Sequence, residues 1–225
     1  MKNGIRFCLM GVLSLVTELI YASNSVLTTS SGSWYSKIHP FVGIEALEES
    51  SNFDMTFNDF SGATSDINAI GAGVGSYIGL KFIPENNLRL SIMASYQAIN
   101  NETGTSSFQV SPSMSFQKKT SYSFSVLPGY AFDAFELYGK LGIETTNVIY
   151  NNSANATLNY NTWANAAQIG VGSLYNFTPH VGIRFEYTYS KFNNIHFNGS
   201  NGSLVDNENL QLRSYLASLG LEWTF

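Results

Sequence analysis

The chain is poor in cysteine, in charge and in long apolar runs. Of 225 residues one is a cysteine, Cys8, so there is no intrachain disulfide and no cluster of thiols to hold a metal. Charged residues make up 12%, where soluble proteins carry about 25%. Eleven Lys and Arg stand against sixteen Asp and Glu, a formal net charge of −5. An acidic chain without a basic cluster argues against a nucleic-acid partner. Beyond the N-terminal segment no stretch approaches the roughly 20 apolar residues of a spanning helix. The three histidines, His39, His180 and His196, lie far apart and show no metal-ligand spacing. Neither a metal nor a cofactor is expected.

The N-terminus carries an export signal. Lys2 and Arg6 flank a short basic region, Phe7 to Val16 is apolar, and a more polar run ends on Ala22. That is the plan of a cleaved secretory signal peptide, placed at 1–22. Cys8 and the charges Lys2, Arg6 and Glu18 leave with it, which takes the net charge from −5 to −6. Residues 23–33 read as a periplasmic segment and 34–225 as one domain.

What the domain has in excess is aromatic residues, 14%, and alternation. Tyr215, Ala217, Leu219, Leu221, Trp223 and Phe225 alternate with Ser218, Gly220, Glu222 and Thr224. Only Leu216 breaks the pattern. Successive strand side chains point to opposite faces, so one face is apolar and the other small or polar. Similar alternation marks strands at 35–47, 67–82, from 88, up to 132, 135–149, 163–176 and from 181. Connections between strands 2–3, 4–5 and 6–7 are short, as at Asp133-Ala134. The others are long and rich in Asn, Ser, Thr and Gly. Without water, only helices and closed barrels satisfy every backbone hydrogen bond. Sorted loop lengths and aromatics near strand ends are the features of a membrane barrel.

The expected fold is therefore all-β, a transmembrane antiparallel up-and-down barrel of eight strands. A ten-stranded alternative rests on Phe108, Val110, Pro112, Met114 and Phe116, which alternate with polar residues. The whole domain resembles the small outer-membrane barrels of Gram-negative bacteria: opacity proteins, OmpX-like proteins and the OmpA transmembrane domain. The ending Leu219, Leu221, Trp223 and Phe225 resembles the signal read by the barrel-assembly machinery. The resemblance implies residence in the bacterial outer membrane, contact with lipid including lipopolysaccharide, and a monomeric barrel.

The inward faces are expected to carry Glu45, Lys81, Arg89, Lys140, Glu144, Arg184, Glu186 and Glu222. Opposite charges in a narrow lumen must pair, because an unpaired buried ion costs several kcal/mol. A network that plugs the barrel is the expectation, and an ion path along the charges is the rival. No catalytic residues are expected. His196, Ser200 and Asp206 share one Gly/Asn-rich stretch, a poor rigid platform for a hydrolase. The expected function is that of a surface-exposed structural or interaction protein, adhesin- or opacity-like. Loops at 48–66, 100–118, 150–161 and 192–211 would meet an extracellular or host ligand. A narrow porin-like channel is the alternative, and a lipid-modifying outer-membrane enzyme a second one.

Overall fold

The computed structural model describes residues 38–57, 63–84, 87–102, 114–152, 160–193, 195–197 and 208–225. The expected signal peptide at 1–22 and the expected periplasmic segment 23–33 lie outside them. Among the described residues every regular element is a strand: β1 (Ile38–Phe57), β2 (Ala63–Phe82), β3 (Leu88–Glu102), β4 (Met114–Phe132), β5 (Phe135–Asn152), β6 (Tyr160–Asn176), β7 (Val181–Phe192), β8 (Ile195–Phe197) and β9 (Glu208–Thr224).

All neighbours pair antiparallel in the order β1-β2-β3-β4-β5-β6-β7-β9, and β9 pairs back onto β1. The sheet is thus an eight-stranded barrel without a free edge. The three-residue β8 pairs only with β9, beyond the end of β7. The ten-stranded alternative is not what forms. Met114 and Phe116 open β4, while Phe108, Val110 and Pro112 lie outside the described residues.

The registers fix the barrel's shape. Cross-strand partners followed once around from Phe41 run through Gly79, Met93, Ser125, Gly142, Gln168, Ser190 and Ser214 and return at Ser51. The stagger is ten residues over eight strands. With strands ~4.8 Å apart and a rise of ~3.3 Å per residue, this gives a tilt of about 41° and a backbone radius of about 8 Å. A lumen of that width is filled by side chains.

The two faces of the wall sort as the alternation predicts. Outward lie Ile44, Val74, Ile143, Val171, Leu219 and Leu221, all more than half exposed. Phe132, Phe135, Tyr175, Phe177 and Trp223 ring the end with short turns. Tyr96, Tyr122, Tyr187, Tyr189 and Tyr215 ring the wall nearer the long-loop end. Between the two rings lies an apolar belt. Val171 sits in that belt and is 64% exposed. A lysine near the bilayer midplane costs roughly 2–4 kcal/mol. Val171→Lys should therefore lower unfolding free energy by about that amount in urea titrations of the barrel in lipid vesicles. An unchanged midpoint would mean that the faces are inverted.

A tight turn and one seam hold the short-turn end. Asp133 takes a positive φ of 53° in the tight turn from β4 to β5, a conformation Asp and Asn tolerate better than most residues. The closing strand is clasped from both sides. His39 Nδ1 lies 3.0 Å from the main-chain oxygen of Phe225, and His180 Nδ1 lies 2.9 Å from that of Thr224. The His180 ring also stacks on Trp223.

Strands at the other end run further than the alternation suggested. Much of the expected loops 48–66, 100–118, 150–161 and 192–211 is strand, including 48–57, 63–66, 114–118 and 208–211. His196, expected in a loop, is the middle residue of β8. On their outward face these extensions carry polar residues, as where Asn52 pairs with Asn68, and so lack the apolar stripe that marks a strand in lipid.

Candidate functional site

The lumen is built in layers. At the short-turn mouth a vestibule of about 390 Å³ is lined by Lys81, Arg89, Asp133 and Glu136, among others. Above it lies the first ionic layer. Lys81 Nζ donates to Glu136 at 3.3 Å and to Glu222 at 3.1 Å. Arg184 Nε donates to Glu222 at 2.9 Å, and its NH2 group donates to the same carboxylate. Lys140 Nζ donates to Glu186 at 2.5 Å, and the Tyr138 hydroxyl donates to Glu186 at 3.2 Å. The Arg184 guanidinium also lies 4.8 to 5.3 Å from the ring centres of Phe41, Tyr77 and Tyr138. A buried guanidinium is thus held by a carboxylate on its edge and aromatic rings on its faces.

Glycines make room for the rings. A Cβ at Gly43 would lie 2.1 Å from the Tyr77 ring, and one at Gly172 would lie 2.3 Å from that of Tyr138. Glu45 joins this layer through Gln97, whose amide donates to it at 3.0 Å.

A short apolar layer follows, Leu47, Ile99 and Leu216. Leu216, the break in the C-terminal alternation, is therefore an inward residue in a place where the lumen is apolar.

The second ionic layer centres on Lys118. Its Nζ lies 2.6 Å from Glu49 and 2.6 Å from Glu144. Ser190 donates to Glu144 at 2.7 Å, Gln168 donates to it at 2.9 Å, and Ser51 donates to Glu49 at 3.2 Å. Ser214 also donates to Glu49. Glu49, Lys118 and Glu144 are all 3% exposed or less.

The last layer is apolar again. Phe53 and Phe116 stack at 5.1 Å between ring centres, and Phe192, Ile195, Leu210 and Leu212 pack around them. This core lies beyond the upper tyrosines: Ser50 pairs with Tyr215, and Phe53 comes three residues further along β1. It fills the bore of the barrel where the strands rise past the belt.

Seven of the eight expected lumen residues stand in these layers, all buried. Arg89 does not join the network. It is half-exposed at the mouth, and its guanidinium donates to the Leu88 carbonyl at 2.9 Å. Three network residues were not expected: Glu49, Lys118 and Glu136. Glu49 shares the face of Glu45, and Glu136 that of Lys140, so both were within reach of the alternation. Lys118 was not. The register between β4 and β5 shifts between Lys118 and Thr120. That bulge turns Lys118 inward and leaves Lys119 exposed.

Leu219, Leu221 and Trp223 of the expected assembly signal face outward in the last strand. Of His196, Ser200 and Asp206, which the sequence offers only as a poor platform for a hydrolase, Ser200 and Asp206 lie outside the described residues. No group of three or more His, Cys, Asp or Glu among the described residues is arranged to hold a metal ion.

A closed barrel with an apolar outer belt between two aromatic rings is an integral membrane protein. Its short turns at one end and long strands at the other give it the orientation of an outer-membrane barrel, turns to the periplasm. The family model described as "outer membrane protein beta-barrel domain" matches residues 38–225. The chain belongs to that family, and its place is the outer membrane. Among solved structures it is similar to the outer-membrane protein OprG of Pseudomonas aeruginosa, at 14% identity over 84% of this chain and 97% of that one, with a TM-score of 0.50. It also matches Ail, the attachment invasion locus protein of Yersinia pestis, at 14% identity over 81% and 98% with a TM-score of 0.42. The outer-membrane protease OmpT of Escherichia coli matches at 14% identity over 88% and 99%, with a TM-score of 0.48. At 14% identity the likeness to OprG is one of fold alone. No curated protein matches the chain by sequence.

Proposed function

We propose that this barrel is a surface-display protein, working through the segments carried on its extracellular strand extensions, and that it is neither a channel nor an enzyme. The observation that supports this most is the filled lumen. Two ionic layers alternate with apolar ones, and the outermost is a packed core containing Phe53, Phe116, Leu210 and Leu212. An interior committed to packing leaves the outside of the molecule to do the work. The extensions of β1, β2, β4 and β9 carry the Asn-, Ser- and Gly-rich connections outward, and binding residues concentrate on loops held by a rigid scaffold. The ligand is an extracellular or host-surface molecule.

The test is capture of candidate surface ligands by the purified barrel, compared with a variant in which 198–207 is replaced by a short Asn-Gly turn. That replacement spares β8, whose Ile195 is buried, and all of β9. A folded, heat-modifiable variant with weakened capture supports the reading. Capture unchanged by replacing each connection in turn would overturn it.

The channel is the rival, and one observation favours it. Glu49 Oε2, Ser125 Oγ and Gln168 Oε1 are buried without a hydrogen-bond partner in the protein. Such groups are commonly met by internal water, and a continuous file of water is what conduction needs.

A further inference from the structure

The second ionic layer is out of balance. Among the described residues its buried charges are Glu49, Glu144 and Lys118, two carboxylates and one ammonium. The first layer differs. There Glu45, Glu136, Glu186 and Glu222 stand against Lys81, Lys140 and Arg184, and Arg89 at the mouth makes up the difference. That layer also opens onto the vestibule. The second is closed by Leu47, Ile99 and Leu216 on one side and by the core around Phe53 and Phe116 on the other. One negative charge is therefore shut in a chamber with an apolar floor and roof. An uncompensated buried charge is strongly destabilising, and buried charges in proteins are paired or coordinate metal ions.

The hydrogen bonds show where the compensation sits. Glu49 Oε1 takes three donors: Lys118 at 2.6 Å, Ser51 at 3.2 Å, and Ser214. Glu49 Oε2 takes none. Gln168 donates its amide nitrogen to Glu144 at 2.9 Å and to Ser190 at 3.2 Å, which holds the amide in the same cluster. The side chain is 7% exposed, and its Oε1 also has no partner in the protein. Among the described residues the orphaned buried atoms are all oxygens, with no donor nitrogen. The chamber is thus short of positive charge and of donors together. Water supplies donors but no charge. Carboxylate and amide oxygens are ligands for hard cations. A divalent ion would overshoot the single surplus charge, beside an ammonium that repels it.

We propose that the second layer is a binding site for one alkali-metal cation, seated on Glu49 Oε2 and Gln168 Oε1 with water for the rest of its shell. The ion enters as the strands close and is shut in by the apolar layers, so it is part of the folded barrel and carries no current. Its ligands come from β1 and β6, far apart in the chain, and no spacing in the sequence announces them.

The test follows the folding equilibrium of the whole barrel in urea and lipid vesicles at fixed ionic strength. Sodium chloride replaces N-methylglucamine chloride, whose cation is too large for the chamber. An ion bound by the folded state alone raises the folding constant in proportion to its concentration once the site is filled. Each tenfold rise in sodium should then raise the folding constant of the wild type roughly tenfold. Glu49→Gln leaves Lys118 facing Glu144 alone, a balanced layer, and should abolish the dependence. Gln168→Met keeps the charge, removes the amide oxygen and should shift the dependence to higher sodium. Heat-modifiable migration checks each fold, and Glu144→Gln removes the same charge if Glu49→Gln fails that check. The same sodium dependence in the wild type and the neutralised variant overturns the site, and an unshifted Gln168→Met overturns that residue's part in it. A wild type indifferent to sodium, whose folding constant falls about tenfold per pH unit near neutrality, overturns the cation in favour of a proton on one carboxylate. Indifference to both overturns it in favour of water alone. Magnesium acting in place of sodium overturns the assignment to a monovalent ion.

Discussion

Lys118→Met should lower the unfolding free energy of the barrel by about 3–5 kcal/mol, the loss typical when one partner of a buried ion pair is removed. Lys118 holds two carboxylates at 2.6 Å, and neither pairs with another cation among the described residues. The variant leaves Glu49 and Glu144 facing each other's charge in a narrow bore. Neutralising them in the triple variant Lys118→Met/Glu49→Gln/Glu144→Gln should recover more than half of the loss, because the isolated charges and not the missing ammonium dominate the cost. Urea titration of the three proteins in lipid vesicles reads this directly. A loss below about 1 kcal/mol, the range of exposed ion pairs, would mean that Lys118 points outward. The bulge would then be misplaced, with Lys119 in the lumen.

Phe53→Ala should cost a similar amount, about 3–5 kcal/mol. Phe53 and Phe116 are both fully buried and stacked on each other. Truncating either leaves a cavity that a closed wall cannot collapse around. Phe53→Ala/Phe116→Ala should cost less than the sum of the single variants, since the two rings share one contact surface. The same titrations check it. A loss for Phe53→Ala no larger than for an exposed residue would mean that the extracellular end is an open, wet vestibule, and the strand extensions would then be held by backbone pairing alone.

The membrane part of this fold was legible in the sequence and the part above it was not. In the belt, lipid on one side and a narrow lumen on the other impose strict alternation, so Glu45, Lys81, Lys140, Glu144, Arg184, Glu186 and Glu222 could be placed inward from parity alone. Beyond the aromatic ring the outer face meets water. Outward residues such as Asn52, Asn100 and Asn161 are then polar, as loop residues are, and the stretch reads as loop. Yet the inner face stays packed, and Phe53, Phe116, Phe192 and Leu212 were the sign of it. Parity also fails at a bulge. Lys118 and Lys119 are adjacent cations, and only the register of β4 against β5 decides which is inside. Arg89 fails for another reason. It has the right parity but stands one residue into its strand, at the mouth, where the guanidinium reaches a carbonyl and solvent instead of the network.

The filled lumen is the claim on which the rest depends, and planar-bilayer recording of the purified barrel tests it most directly. With two ionic and two apolar layers across the bore, the predicted result is a flat baseline at ±100 mV in molar salt, with no unitary steps above those of protein-free bilayers. Reproducible ohmic steps from the wild-type barrel, lost when the bore is altered at Lys118 or Arg184 in variants that still fold, would contradict it and make this protein a channel.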